Sequence, residues 1–129
     1  MLVRHPLLVA AFADGRRLAV SSGTRRIDWV CVENVIDAFL AAADGEPGVF
    51  DIGSGTLVSI RATVRLVAAA MGTAIAPAFG VVGDRPLERE LRADPEPARA
   101  SLGWRPTVGL AEGIARTVAA RTTPLLAAS

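Results

Sequence analysis

The feature that most constrains this fold is residues 25–40, where strand-like alternation gives way directly to helical spacing. Residues 27–32 alternate in polarity around Trp29, as in a short buried strand. The apolar residues that follow recur every three or four positions, as along one face of a helix: Val35, Ile36, Phe39, Leu40 and Ala43. We predict that this face packs into the core, and that Glu33 or Asn34 caps the helix. A strand that turns straight into an amphipathic helix is typical of α/β proteins.

The same alternation of strand and helix continues along the chain. Strands are predicted at residues 17–20, 27–32 and 49–52, with a fourth at 73–79 that a proline interrupts. Helices are predicted at residues 6–13, 35–43, 59–71, 94–102 and 110–120. The predicted fold class is therefore α/β, with short strands and about five helices. The sheet is thin and the first helix begins very early, so we expect further structure to complete the fold.

Length and composition limit the classes of protein to which the chain can belong. The 129 residues suffice for one domain, which we assign to residues 1–121, with a tail at 122–129. A net charge of +1 gives no basis for binding nucleic acid or a membrane surface. No apolar run reaches the roughly 18 residues needed to span a bilayer. The single cysteine excludes an internal disulfide, which suits a reducing compartment, so a cytoplasmic protein is expected.

Several kinds of catalysis are excluded by residues that the sequence lacks. One histidine, His5, and one cysteine, Cys31, cannot together build a zinc site, so no metal site is predicted. The chain contains no lysine and no tyrosine, so neither a lysine base nor a tyrosine acid is available. We therefore predict no catalytic residue within this sequence.

The best candidates for a binding site are arginines in loop positions. Arg25 and Arg26 precede the central strand, and Arg85 lies in a loop rich in glycine and proline. A planar guanidinium matches phosphate oxygens two at a time, which favours an anion site; solvated surface charge is the alternative. Glu88 is placed either to accept hydrogen bonds from sugar hydroxyls or to pair with a neighbouring arginine.

Two further features have competing interpretations. The run Gly53-Ser54-Gly55 follows a predicted strand and precedes a helix, where bare amides can bind phosphate. It matches neither Gly-x-Gly-x-x-Gly nor a Walker loop, so a tight turn is favoured. Trp29 and Trp104 are interpreted as core anchors rather than as stacking platforms for a base.

Five short runs, in order along the chain, together resemble the C-terminal part of the extended short-chain dehydrogenase/reductases, the NAD-dependent nucleotide-sugar epimerases and dehydratases. The family patterns are Arg-Asp-(Phe/Trp)-x-x-Val-x-Asp, Val-Tyr-Asn-Ile-Gly-Ser-Gly, Arg-Pro-Gly-(Asp/Glu), Leu-Gly-Trp-x-Pro and Leu-x-Glu-Gly-(Leu/Ile). The corresponding runs here are residues 26–38, 49–55, 85–88, 102–106 and 110–114. The resemblance implies a partial Rossmann-type fold and the substrate-binding portion of such an enzyme.

The resemblance also implies roles for four residues in binding a nucleotide-diphosphate sugar. Arg85 matches a loop arginine that contacts the pyrophosphate, and Glu88 matches an acid that binds the ribose hydroxyls. Arg26 is the arginine nearest to a second pyrophosphate-binding position, which Ile27 occupies here. Val20 lies on a segment that resembles the strand whose backbone runs along the base.

The sequence departs from the family in its catalytic and cofactor segments. It contains neither the family's glycine-rich first turn nor its Tyr-x-x-x-Lys. The resemblance therefore implies NAD(P) for the intact enzyme, which would be an isomerase or lyase, but implies no cofactor site in this chain. The first hypothesis is thus the nucleotide-sugar-binding C-terminal part of an epimerase or dehydratase. A second is a non-catalytic remnant or subunit that completes a separate chain carrying the cofactor-binding half. A third is a gene fragment without function of its own. The sugar, the base and the reaction stay open.

Overall fold

The computed structural model describes residues 4–122, and the surroundings of side chains from residue 8 to residue 121. Its helices are α1 (Arg4–Ala13), α2 (Val32–Ala43), α3 (Ile60–Met71), α4 (Glu96–Leu102) and α5 (Leu110–Thr122), and its strands are β1 (Arg26–Asp28) and β2 (Leu57–Ser59). The predicted class, α/β with short strands and about five helices, is confirmed. The predicted tail begins at the last residue of α5 and otherwise lies outside the described residues. Within the described part, no helix is long and apolar enough to cross a membrane.

The two strands form a small antiparallel sheet, in which Ile27 of β1 lies opposite Val58 of β2. β2 leads straight into α3, and Ser59 caps that helix: its Oγ accepts a hydrogen bond from the amide of Ala62 at 3.1 Å. This cap agrees with the predicted helix start at residue 59. Strand β2 itself is not predicted from the sequence, because only its pairing with β1 defines it.

Residues 17–20 and 73–79, which are predicted as strands, form only a single bridge pair. They meet at an isolated parallel bridge between Ala19 and Ala78. Pro77 has no N–H to donate to a ladder, so a longer pairing is disfavoured on this side. The bridge nevertheless fixes the two segments side by side.

The other two predicted strands are also wrong in extent. The strand predicted at residues 27–32 ends at Asp28, and residues 49–52 are paired with no strand in the described part of the chain. Strand hydrogen bonds need a neighbouring strand, and here none lies beside residues 49–52 among those described. Val49, in this segment, is 98% exposed.

The described core consists of two clusters. The larger one joins α1, α3 and α5 through Val9, Phe12, Val64, Val67 and Ile114. The smaller one joins α2 and α4 through Ala38, Ala98 and Trp104. Trp29 is buried as well, so the interpretation of both tryptophans as core anchors is confirmed.

The predicted orientation of α2 is wrong. Phe39 and Leu40, expected in the core, are 72% and 63% exposed, and Ile36 is half exposed. The helix is rotated so that small or polar residues, Asn34 and Ala38, face inward. The short α4 and Trp104 approach α2 closely, and this space accepts small side chains. A broad apolar face of α2 is therefore left facing solvent.

The predicted cap of α2 is also wrong. Cys31 occupies the cap position, and its side chain makes no capping hydrogen bond. Asn34 is buried and instead forms hydrogen bonds with the segment before α5. Its Oδ1 accepts hydrogen bonds from the amides of Thr107 and Val108, both at 3.1 Å. Its Nδ2 donates a hydrogen bond to the carbonyl of Val108 at 2.9 Å. Its own carbonyl accepts a hydrogen bond from the indole of Trp104 at 2.9 Å. Asn34 thus holds together parts of the chain that are distant in sequence.

Candidate functional site

A cleft of about 330 Å³ lies between the segment before β1 and the irregular loop of residues 80–93. Its walls carry four charged side chains: Arg25, Asp84, Arg85 and Glu88. Val20 and Ile60 supply part of its apolar lining. The cleft therefore brings together three of the four residues predicted for the site, Val20, Arg85 and Glu88.

Backbone hydrogen bonds around Val20 place the loop. Its amide donates to the carbonyl of Ala78 at 3.0 Å, and its carbonyl accepts from the amides of Val81 and Val82 at 3.1 and 3.2 Å. Because both backbone groups are engaged within the chain, Val20 offers the cleft its side chain rather than its peptide groups.

Glu88 lies between the two arginines of the cleft. Its Oε2 forms a short ion pair with Nη1 of Arg25, and its Oε1 lies 3.6 Å from Nη1 of Arg85. The Arg85 side chain is 74% exposed, whereas those of Arg25 and Glu88 are mostly covered. The Nε of Arg25 is buried and has no hydrogen-bond partner in the described structure. The two guanidinium groups therefore converge and retain unused donors.

Arg26 does not line the cleft. Its Nε and Nη2 donate to Oε2 of Glu90 at 3.0 and 2.7 Å, and its amide donates to Oε1 of Glu90 at 2.8 Å. These hydrogen bonds lower the pKa of Glu90 and raise that of Arg26. Neighbouring residues of an extended segment point to opposite sides, so Arg25 and Arg26 diverge.

Arg25 is the cleft residue that the family pattern does not single out. The pattern places an arginine at the position of Ile27, and Arg26 is nearest to it in sequence. Residues two apart in an extended segment share a face, however, so Arg25 rather than Arg26 lies on the side of residue 27. The two-residue repeat of side-chain direction along an extended segment is therefore the sequence signal from which Arg25 could be found.

Asp84 anchors the front of the loop. Its Oδ1 accepts hydrogen bonds from the amide and the hydroxyl of Ser22, at 3.0 and 2.9 Å. These bonds hold the pKa of Asp84 below its ordinary value. Together with the Arg26–Glu90 pair, they attach the loop to the rest of the fold on both sides of Glu88.

The turn at residues 53–55 is occupied by an internal carboxylate. Asp28 accepts hydrogen bonds from the amides of Ser54 and Gly55, at 2.7 and 3.0 Å, and also from the amide of Ala93 at 3.0 Å. A Cβ on Gly53 would lie 2.5 Å from the Cβ of Ala93, so this close approach requires glycine. The tight-turn interpretation is confirmed. The turn does not fit a dinucleotide phosphate, because its amides already serve Asp28.

Comparison with known proteins identifies the origin of this fold. No protein-family model matches the chain. It is 38% identical over 120 residues to UDP-glucose 4-epimerase of Mycolicibacterium smegmatis, covering 86% of this chain and 37% of that protein. It is 32% identical over 116 residues to dTDP-glucose 4,6-dehydratase of Streptomyces antibioticus, covering 88% of this chain and 35% of that protein. The chain thus spans about a third of the length of the relatives that it matches.

The fold agrees with the sequence comparison. UDP-glucose 4-epimerase of Thermotoga maritima, solved with UDP-glucose, superposes with a TM-score of 0.81 at 27% identity, over 88% of this chain and 37% of that one. In sequence and in fold, the chain therefore corresponds to the C-terminal part of the extended short-chain dehydrogenase/reductases of the nucleotide-sugar epimerase/dehydratase family.

Proposed function

We propose that this chain is the nucleotide-sugar-binding portion of an NAD-dependent epimerase or dehydratase, and that its cleft holds the diphosphate. The observation that carries the proposal is the convergence of Arg25 and Arg85 on a single point of the cleft, now occupied by the carboxylate of Glu88. Residues 1–121 would act as one substrate-binding unit.

The chemistry of the cleft suits a diphosphate. Two guanidinium groups can each donate to a different phosphate, and hydrogen bonds between ions are stronger than those between neutral groups. In this proposal Arg25 takes the place that the family pattern suggests for Arg26, because Arg26 is held by Glu90. Glu88 accepts hydrogen bonds from the ribose hydroxyls, and Val20 contacts the base through its side chain.

The residues of this chain do not fit the NAD(P) that the family uses. The turn at residues 53–55 donates its amides to Asp28, and the sequence has no tyrosine or lysine to move a proton. The acid, the base and the cofactor site would therefore come from the remainder of the enzyme. What this chain contributes is the position of the substrate.

Calorimetric titration with UDP and dTDP tests the diphosphate site. Arg25→Ala and Arg85→Ala should each weaken binding about tenfold or more, since a hydrogen bond to a charged group contributes about 1.5 to 3 kcal/mol. Arg99→Ala, which alters an exposed arginine on α4, is the control and should leave the affinity unchanged. Equal affinity in wild type and Arg85→Ala, or no binding by the wild type, would reject the proposal.

The outward face of α2 favours a second candidate function, that of a subunit which completes a separate cofactor-binding chain. Ile36, Phe39 and Leu40 are exposed apolar residues of α2, and Phe39 lines a cleft together with Phe50 and Ile52, which pair with no strand among those described. A segment without a strand partner beside an exposed apolar helix face resembles the open edge of a sheet, where a second chain can dock. The match covers 37% of the Mycolicibacterium smegmatis protein, so nearly two thirds of that relative lies outside the matched part.

Affinity purification of the tagged chain from its own cells tests this second candidate. A protein with a glycine-rich first turn and a Tyr-x-x-x-Lys sequence should co-purify with the wild type and be lost with Phe39→Glu. Because Phe39 is exposed, that substitution should leave the circular dichroism spectrum unchanged. Recovery of no such protein, or equal recovery with the variant, would reject the candidate.

A further inference from the structure

We propose that Glu88 is a built-in competing anion: in the free cleft its carboxylate takes the place of a diphosphate between Arg25 and Arg85, and it must leave before the diphosphate enters. The inference rests on the proposed function and deepens it, because it makes Glu88 the residue that sets which anions the cleft accepts.

The charges of the cleft support this role. The charged side chains on its walls are two arginines and two carboxylates, so their formal charges cancel. Asp84 is directed to Ser22, whereas each oxygen of Glu88 is directed to a different guanidinium. A small anion gains little by entering a neutral cleft whose donors already face a carboxylate. Displacement of Glu88 would leave two arginines against one carboxylate, that of Asp84, which is already bonded to Ser22.

The contacts of the loop show why Glu88, rather than its neighbours, is the group that can leave. Asp84 accepts two hydrogen bonds from Ser22, and Glu90 accepts three from Arg26, including one from a backbone amide in each case. Among the described residues, the carboxylate of Glu88 contacts only the two guanidinium groups. The loop therefore stays attached on both sides while the Glu88 side chain changes its rotamer.

The consequence is selectivity for nucleotides over plain anions. A nucleoside diphosphate offers ribose hydroxyls to the displaced carboxylate, so the interactions that Glu88 loses with the arginines are partly replaced. Inorganic pyrophosphate offers no such hydroxyl and leaves the carboxylate close to its own negative charge. Removal of the Glu88 charge should thus favour pyrophosphate and should not favour UDP.

Calorimetric titration of the full chain with inorganic pyrophosphate and with UDP, at low ionic strength, tests the inference. Glu88→Gln should bind pyrophosphate about tenfold more tightly than the wild type and UDP no more tightly. Glu88→Ala removes the same charge and should show the same gain if Glu88→Gln folds poorly. Glu96→Gln, which alters an exposed carboxylate on α4, should behave as the wild type.

The outcomes separate this inference from the proposed function. If UDP binds in an Arg85-dependent manner but neither Glu88 variant gains affinity for pyrophosphate, the competing-anion role is rejected and the diphosphate site stands. If wild type and both Glu88 variants bind neither pyrophosphate nor UDP, the cleft is not an anion site and both proposals are rejected.

Discussion

Leu87 combines a left-handed backbone with a side chain that packs against almost nothing. Its φ is 69° and it is 99% exposed, at the position where the family pattern Arg-Pro-Gly-(Asp/Glu) has glycine. We expect Leu87→Gly to raise the free energy of unfolding by about 0.5 to 1 kcal/mol, because relief of the strain exceeds the added entropy of the unfolded chain. Urea denaturation measures the change.

Leu91→Gly is the matched control for that substitution. Leu91 is also largely exposed, but it is not among the described residues with positive φ. Glycine there relieves no strain and should lower stability slightly. Equal effects at the two positions would show that the conformation of Leu87 carries no strain.

Asn34 is a residue whose removal is expected to cause a large loss of stability. Asn34→Ala leaves the amides of Thr107 and Val108 and the carbonyl of Val108 without their partners. Unsatisfied groups of this kind typically cost 1 to 3 kcal/mol each when buried, so we expect a loss of about 3 kcal/mol in urea denaturation. Asp37→Ala, on the exposed side of the same helix, should change stability by less than about 0.5 kcal/mol. Similar losses for the two variants would contradict the role given to Asn34.

At the scale of elements, Asp28 joins β1, the turn at residues 53–55 and the end of the cleft loop. It accepts hydrogen bonds from both the amide and the hydroxyl of Ser54, from the amide of Gly55 and from that of Ala93. Asp28→Ala should lower the free energy of unfolding by about 3 kcal/mol, because four donors lose one acceptor group. Thermal and urea denaturation measure it.

Asp51→Ala is the control for Asp28→Ala. Asp51 accepts one long hydrogen bond, from the amide of Asp94 at 3.3 Å, in an exposed position. Its removal should cost well under 1 kcal/mol. If the two aspartates prove equally dispensable, the junction is held by the backbone and not by Asp28.

The order of the elements could be predicted from the sequence more fully than their packing. The helix start at Ser59 depends on a side-chain oxygen near in sequence, and that start is confirmed. The inward face of α2 depends on which neighbour covers it, and the apolar period alone favours the wrong face. β2 depends on a partner some 30 residues away in the register of β1, which no local pattern encodes.

At the scale of the whole molecule, two carboxylates make the attachment of the cleft loop sensitive to acid. Hydrogen bonds from Ser22 lower the pKa of Asp84 from 3.8, and those from Arg26 lower the pKa of Glu90 from 4.5. A carboxylate whose pKa is lowered by folding stabilises the fold fully above its unfolded pKa and loses this effect as pH falls through the folded value. We therefore expect the melting temperature to drop below about pH 4.5, and most steeply below pH 4.

The double variant Asp84→Asn and Glu90→Gln tests that expectation. It should melt at a lower temperature than the wild type at pH 7, and the difference should shrink as the pH falls from 5 to 3. Glu96→Gln also removes a carboxylate of lowered pKa, but one that pairs within α4, so its effect should be smaller. Parallel pH profiles for the wild type and the double variant would contradict the role of these two groups.

The sequence by itself determined the fold class, the order of the helices, the family and the presence of arginines suited to a diphosphate. These depend on residue type and on spacing over a few positions, which local periodicity and short motifs record directly. Only the tertiary structure decided that Glu88 lies between Arg25 and Arg85, that Asn34 serves residues 107–108 instead of its own helix, and that Phe39 faces solvent. Each of these depends on which distant segment lies opposite, and a side chain's partner across 60 or 70 residues is fixed by packing rather than by its neighbours in sequence.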